Sequence, residues 1–426
     1  MLERAAVVLE QTCKRARYRL LCPTQRMRKV LQLQNNPRLT WWFVVVRRSV
    51  RTMISHGSQP FMQRRDLPEF AAVDRRASPT LDVALLIPLH GSAGIFGPSC
   101  ELCARLAMEE VNSEGGLLGR ELQLHVVDGG GPPERVANAI ATLVRRGMIS
   151  AVVGWHISAV RVAVAPRIAG RVPYIYTALY EGGERTPGVF VAGETPARQL
   201  WPAMQWLADE QGVRRWYIVG DDYLWPRATA ISAHRYARLC GGSICGETFV
   251  PLGTADFAPV SEQVWRSAAD AVLMLLVGQD AACFNRAFAH AGLQDRCLRL
   301  STLVEENTLL ASGADCTEGI HATAAYFETL ITAESLTFED RYVHRFGVGA
   351  PTLNSPGESC YEGVRLLASL ARRAGTLDVG RLCAVANGVT YYGPRGEVWV
   401  REDHHLEQRV YLGKAAALEF DVVAQL

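Results

Sequence analysis

From residue 81 to residue 303 apolar runs of strand length alternate with helical stretches, and the alternation comes in two blocks. In the first, "DVALLIPL" (82–89) precedes "SCELCARLAMEEVNSEGG" (99–116), where Cys103, Leu106, Ala107 and Val111 share one helical face. Strand "ELQLHVVDG", helix "ERVANAIATLVRRG", strand "SAVVGW", helix "SAVRVAVAPRIAG" and strand "PYIYTAL" follow. Strands apolar on both faces, each joined to the next by a helix, require a parallel sheet covered on both sides.

The second block repeats the scheme. Helix 196–210 leads into "RRWYIVG", then helix 226–239, with Pro226 at its first position, strand "SICGETFVPL", helix 256–268, strand "DAVLMLLVG", helix 279–291 and strand "LRLSTL". Beyond residue 325 come two further helices, a short one near 377–387, and the β-like "GEVWVRE" and "QRVYLGK". The expected fold class is α/β, with two Rossmann-like, doubly wound lobes, a parallel sheet in each, and a hinge crossed several times. The expected division is a leader over 1–80, a first lobe over 81–195 plus 326–388, and a second over 196–325 plus 389–426. Ligands of open α/β sheets bind beyond the carboxyl ends of the strands, which between two facing lobes is a cleft.

At 426 residues the chain accommodates such a body. Its near-neutral charge conceals an asymmetry. Residues 1–76 hold 16 Lys+Arg against 5 Asp+Glu, and the remainder 29 against 38. An acidic body argues against a nucleic-acid groove, so no direct nucleic-acid partner is expected. In the leader, "WWFVVV" (41–46) is too short to span a bilayer, and no export signal is evident. The expected location is therefore cytoplasmic, or periplasmic if the start, with Met53 and Met62 as other candidates, hides such a signal. Eleven scattered cysteines point the same way, to a reducing compartment. Cys100 and Cys103 make a lone CxxC without a second pair, so neither metal nor other cofactor is expected.

Enzyme signatures are missing from the sequence. "HGSAG" (90–94) lacks the first glycine of a nucleophile elbow, there is no P-loop, and "GGG" (129–131) runs into Pro132-Pro133. A non-catalytic binder is expected, with an enzyme or a ligand-free interaction module on the same scaffold as alternatives. The strand ends carry the candidate site: Phe96 in "PLHGSAGIFG", His156 and Ser158 in "GWHIS", Tyr176, Thr177 and Ala178 in "YTALYEGGERTPG", Tyr223 and Trp225 in "GDDYLWPR", and Glu305 in "STLVEEN". A serine at a helix start offers a hydroxyl beside free N–H groups, the rings can stack on a small solute, and Glu305 or Glu306 can accept from an N–H. Each also has an ordinary explanation. Ser158 could be a plain N-cap, Tyr223 and Trp225 could merely cover the sheet end, and acids suit a helix's first turn.

The body resembles the type I periplasmic-binding-protein family, on "LLIPLHGSAGIFGPS", "AMEEVNSEGGLLGRELQL", "YTALYEG", "VGDDYLWPR", "FVPLGTADFAPV", "STLVEEN" and "GPRGEVWVREDHH" over residues 81 to about 420. Within it, the body is similar to the branched-chain amino acid, urea and short-chain amide binders, and "YEG", "DDYLWPR" and "DHH" resemble the urea and amide branch. The resemblance implies capture of a small polar ligand (amide, urea or amino acid) by Ser158, Tyr176 and Tyr223, with lobe closure as the signal. It implies as partner either an ABC permease or a cytoplasmic transcription antitermination regulator, and allows a homo-oligomer. Three positions depart from the amide and urea branch: His156 stands for a tyrosine, Ala178 for a threonine and Trp225 for a tyrosine.

Overall fold

The computed structural model describes residues 78–426. Residues 1–77 of the leader, with "WWFVVV" and the alternative starts, lie outside the described residues. Five parallel strands form the first sheet in the order β2-β1-β3-β4-β5: β1 (Thr80–Ile87), β2 (Glu121–Asp128), β3 (Ala151–Gly154), β4 (Tyr174–Tyr176) and β5 (Val189–Val191). Between them run α1 (Gly97–Ser113), α2 (Pro133–Arg145) and α3 (Ser158–Ile168). Helix α2 shows why the sequence was readable here. Val136, Ala137, Ile140, Ala141 and Val144 recur at three- and four-residue spacing and are all buried.

After α4 (Pro196–Glu210) the second sheet begins with β6 (Arg215–Asp221). It continues through α5 (Leu224–Leu239), β7 (Ser243–Val250), α6 (Ala258–Ser267), β8 (Ala271–Leu275), α7 (Gln279–His290), β9 (Leu298–Ser301), α8 (Glu306–Ser312) and β10 (Ile320–Ala324). Strands β7, β6, β8, β9 and β10 lie parallel in that order. The chain end adds an antiparallel hairpin, β14 (Tyr411–Ala416) and β15 (Glu419–Gln425), beyond β10. The protein is thus a two-lobed α/β fold whose second sheet is mixed at one edge.

Helices α9 (Ala333–Phe346) and α10 (Ser355–Ala374) return to pack on α1, and α10 also covers β3 and β4. The close approach of α10 needs its glycines. A Cβ on Gly357 would sit 2.9 Å from Ser99 Cβ, and one on Gly363 2.4 Å from Thr177 Cγ2. After α11 (Val379–Val385), a separate antiparallel sheet forms from β11 (Thr390–Gly393), β12 (Gly396–Val400) and β13 (Leu406–Glu407).

The chain passes between the two large sheets three times: after β5, after β10, and through the small sheet. Polar side chains bind these crossings together. Glu194 accepts from the Ala325 amide at 2.7 Å, and Gln408 donates to Ala192 O at 3.0 Å. Buried Arg395 donates to Glu358 at 2.7 Å, Ser359 at 2.7 Å and Gln408 at 2.5 Å.

One helix start departs from the sequence expectation. Helix α5 starts at Leu224, two residues before Pro226. The proline is tolerated because the first four helical N–H groups have no intrahelical acceptor, so its missing donor costs nothing there. In "STLVEEN" the last two residues open α8, with Glu305 as its N-cap, in keeping with acids that suit a helix's first turn.

Candidate functional site

Strands β3 and β4 end in the first wall. The segment Trp155-His156-Ile157 carries the chain from β3 into α3, with Ile157 at the N-cap position and Ser158 at the helix's first residue. His156 is fully buried and has no polar group to spare. Its Nδ1 lies 3.2 Å from Ile157 O, and its Nε2 lies 2.7 Å from the Tyr174 hydroxyl. A carbonyl can only accept, so Nδ1 carries the proton and Nε2 accepts from Tyr174. Burial, with Arg161 adding to it, lowers the imidazole pKa from 6.5 to about 3, so the ring is neutral. The Tyr176 hydroxyl donates 2.9 Å to His156 O, and burial pushes that phenol well above its usual range.

Behind this wall stands an ionic cluster that the sequence did not reveal. Ser158 Oγ donates to Glu181 at 2.7 Å. Arg161, one turn along α3, pairs with Glu181 at 2.7 Å and with Glu184 at 2.9 Å. All three side chains are nearly inaccessible, 4% for the arginine against 8% and 10% for the two acids. The guanidinium also lies over the rings of Tyr176 and Tyr180, 5.2 and 4.6 Å from their centroids. Tyr180 bonds His405 across to the small sheet, which ties the "YEG" and "DHH" segments together. The i, i+3 spacing of Ser158 and Arg161 was visible, but which acid would answer them was not.

The second wall comes from β6. The two acids of "GDDYLWPR" are used differently, and Asp221 keeps one buried oxygen, Oδ1, without a partner. Buried Asp221 accepts from the Val277 amide at 2.8 Å, and Asp222 pairs with Arg227 at 2.8 Å. Tyr223 is the N-cap residue of α5, and Trp225 is buried in its first turn, their ring centroids 6.3 Å apart. Burial first, then Asp221, Tyr176 and Glu181, push the Tyr223 phenol up. The last two belong to the opposite wall, so the two walls are in electrostatic contact.

The two walls close on a cavity of about 10 Å³, room for roughly one water, lined by Trp155, His156, Ser158, Tyr176, Ala178 and Leu179 from one side and Tyr223, Trp225 and Leu303 from the other. A second cavity of about 10 Å³ shares Trp155, Leu179 and Leu303 and leads toward the hinge, past Glu305, Glu194, Thr302, Thr323 and Ser359. Glu305 caps α8, accepting from the amides of Asn307 at 2.9 Å and Thr308 at 2.8 Å and from the Thr308 hydroxyl at 2.8 Å. Burial outweighs those bonds and raises its pKa from 4.5 to about 7.

Six of the nine expected residues therefore line one cavity: His156, Ser158, Tyr176, Ala178, Tyr223 and Trp225. Glu305 lines its neighbour. Phe96 and Thr177 line neither. Phe96 is buried behind Trp155, edge-on with centroids 4.9 Å apart, and Thr177 turns its hydroxyl to Cys360 at 3.7 Å. Trp155 and Leu303, unremarked in the sequence, join the two cavities.

A family model described as periplasmic binding protein matches residues 80–417. The chain belongs to the periplasmic binding protein family. That overturns the cytoplasmic location expected from the leader, because members of this family are exported to the periplasm. The error came from treating the first residues as evidence: the beginning of a sequence cannot show that an export segment is missing. Among curated relatives, Leu/Ile/Val-binding protein homolog 6 of Brucella melitensis biotype 1 is 24% identical over 345 residues, spanning 78% of this chain and 87% of that protein.

Solved structures share the fold. A solute-binding protein of an ABC transporter from Rhodopseudomonas palustris HaA2, in complex with p-hydroxybenzoic acid, is 20% identical, with a TM-score of 0.73 over 82% of this chain and 96% of its own. The branched-chain amino acid binding protein LivJ of Streptococcus pneumoniae, in complex with isoleucine, is 18% identical, with a TM-score of 0.72 over 82% and 100%. The family to which this chain belongs is one of solute-binding proteins, a non-enzymatic class.

Proposed function

We propose that this protein captures one small polar solute (an amide, urea or amino-acid-like molecule) between the two walls and delivers it to an ABC permease. The observation that carries this is the convergence of strand-end residues from both sheets, Ser158 and Tyr176 with Tyr223 and Trp225, on one cavity. A space of about 10 Å³ is smaller than any such solute, so the walls part to admit it and close over it. The three hinge crossings, bonded to one another, supply the axis of that motion. The proposed lobes are 81–195 plus 326–388 and 196–325 plus 389–426. Only the closed form presents the paired surfaces that a partner reads, so the solute shifts that population by its differential affinity. No observation favours a transcription regulator over a permease as that partner.

Isothermal titration against acetamide, urea, leucine, isoleucine, benzoate and 4-hydroxybenzoate tests the proposal. The expected result is saturable one-to-one binding that Tyr223→Ala weakens. Turnover of a bound amide, or no saturable heat with folded protein, would contradict it.

A further inference from the structure

Hydrogen-bond polarity distinguishes the first wall from an ordinary polar pocket. A hydroxyl has one proton, and at this wall both hydroxyl protons point inward. Ser158 gives its proton to Glu181 at 2.7 Å, and Tyr176 gives its proton to the carbonyl of His156 at 2.9 Å. Each oxygen can then offer the cavity only lone pairs. The imidazole of His156 has committed both nitrogens, to Ile157 and Tyr174.

Charge works in the same direction. Arg161 is shared by two carboxylates, so the buried cluster behind the wall carries one more negative than positive group. Neither cavity is lined by a lysine or arginine, whereas Glu305 and Glu194 line the second. The unspent polar groups there are the Thr302 and Thr323 hydroxyls, buried and without partners, and they carry no charge. The rings of Trp155, Tyr176, Tyr223 and Trp225 complete a lining whose faces attract positive rather than negative charge. A solute carboxylate placed against Ser158 would meet lone pairs and a net negative cluster. It would lose its hydration shell and find only neutral donors, with no cation to answer its charge.

We infer that Glu181, by taking the Ser158 proton and outnumbering Arg161 together with Glu184, sets this cleft to recognise the N–H of an amine or carboxamide and to reject a free carboxylate. The inference rests on the proposed capture of a solute between the two walls and names the chemical class that the first wall selects. Glu181 acts through Ser158 and is a specificity-determining, positioning residue.

Three probes with one ring isolate the effect: benzylamine, benzamide and benzoate, titrated calorimetrically at pH 7.5. The full chain is expected to bind benzylamine or benzamide at least ten times more tightly than benzoate. In Glu181→Gln the charge balance around Arg161 is restored, and the preference should shrink at least tenfold, through a gain in benzoate affinity. Ser158→Ala removes the acceptor without disturbing the ion pairs. It should lower benzamide and benzylamine affinity at least fivefold and leave benzoate unchanged.

Benzoate binding as tight as benzamide in the unmodified protein overturns the inference, as does an unchanged preference in a folded Glu181→Gln. Failure of all three probes, and of leucinamide and leucine alongside them, overturns the underlying proposal of solute capture as well. That result is distinct from binding with the wrong preference.

Discussion

His156 couples the candidate site to pH in a way that its surroundings allow to be calculated. The unfolded chain protonates this ring near pH 6.5, whereas in the folded protein the pKa falls to about 3. Below pH 6.5 the unfolded state binds a proton that the folded state refuses, so acidification favours unfolding, and the loss is complete only near pH 3. At pH 5 the unfolded ring is about thirty times more often protonated than neutral while the folded ring stays neutral, which costs about 2 kcal/mol relative to pH 8. Other groups titrate over the same range. His321, lowered to about 4 by burial, adds a similar loss, while Glu305, raised to about 7, works in the opposite sense: its contribution is present at low pH and is lost as pH rises toward 7. A non-titrating variant removes their influence from the comparison. In His156→Gln the amide can still donate to Ile157 O and accept from Tyr174. Urea unfolding of both proteins at pH 8 and pH 5 should show the wild type losing about 2 kcal/mol more than the variant across that interval. Parallel losses in the two proteins would mean that His156 is reached by protons in the folded state, and the sealed first wall described above would be wrong.

Arg161→Met leaves Glu181 and Glu184 buried without their cation and should cost about 3–5 kcal/mol of stability, read by chemical denaturation at pH 7. Gly193→Ala puts a methyl group 1.9 Å from Ala178 O, a backbone atom that cannot turn aside. It should lower the melting temperature by several degrees in calorimetry, at a cost of about 1–3 kcal/mol or more. Tyr223→Ala should weaken binding of the best solute by at least about 1 kcal/mol, read by titration calorimetry. An unchanged affinity would remove Tyr223 from the site.

The alternation of buried strands with one-faced helices made the two-lobed fold legible, because β1, β3 and β4 are apolar enough to be sandwiched while β2 lies at the sheet edge. The three-residue β5 and β10, "IHATA", were not legible: a strand that short, or one carrying a histidine and threonines, has no distinctive period. The candidate site was legible where it depended on position, since loops after parallel strands share one sheet edge. It was not legible where it depended on pairing. Ser158 and Arg161 find Glu181 and Glu184 twenty or more residues away, and Thr177, just past the end of β4 and flanked by two lining residues, turns its hydroxyl to Cys360 of α10 instead. The location was misjudged because a leader was read for what it lacked, while the body carried the family's features throughout.

The most direct test of capture between the walls is a crystal structure of the protein with its tightest-binding solute from the titration panel. The solute should lie between Ser158 and Tyr176 on one side and Tyr223 and Trp225 on the other, within contact distance of both. A solute bound elsewhere, or touching only one wall, would contradict the account.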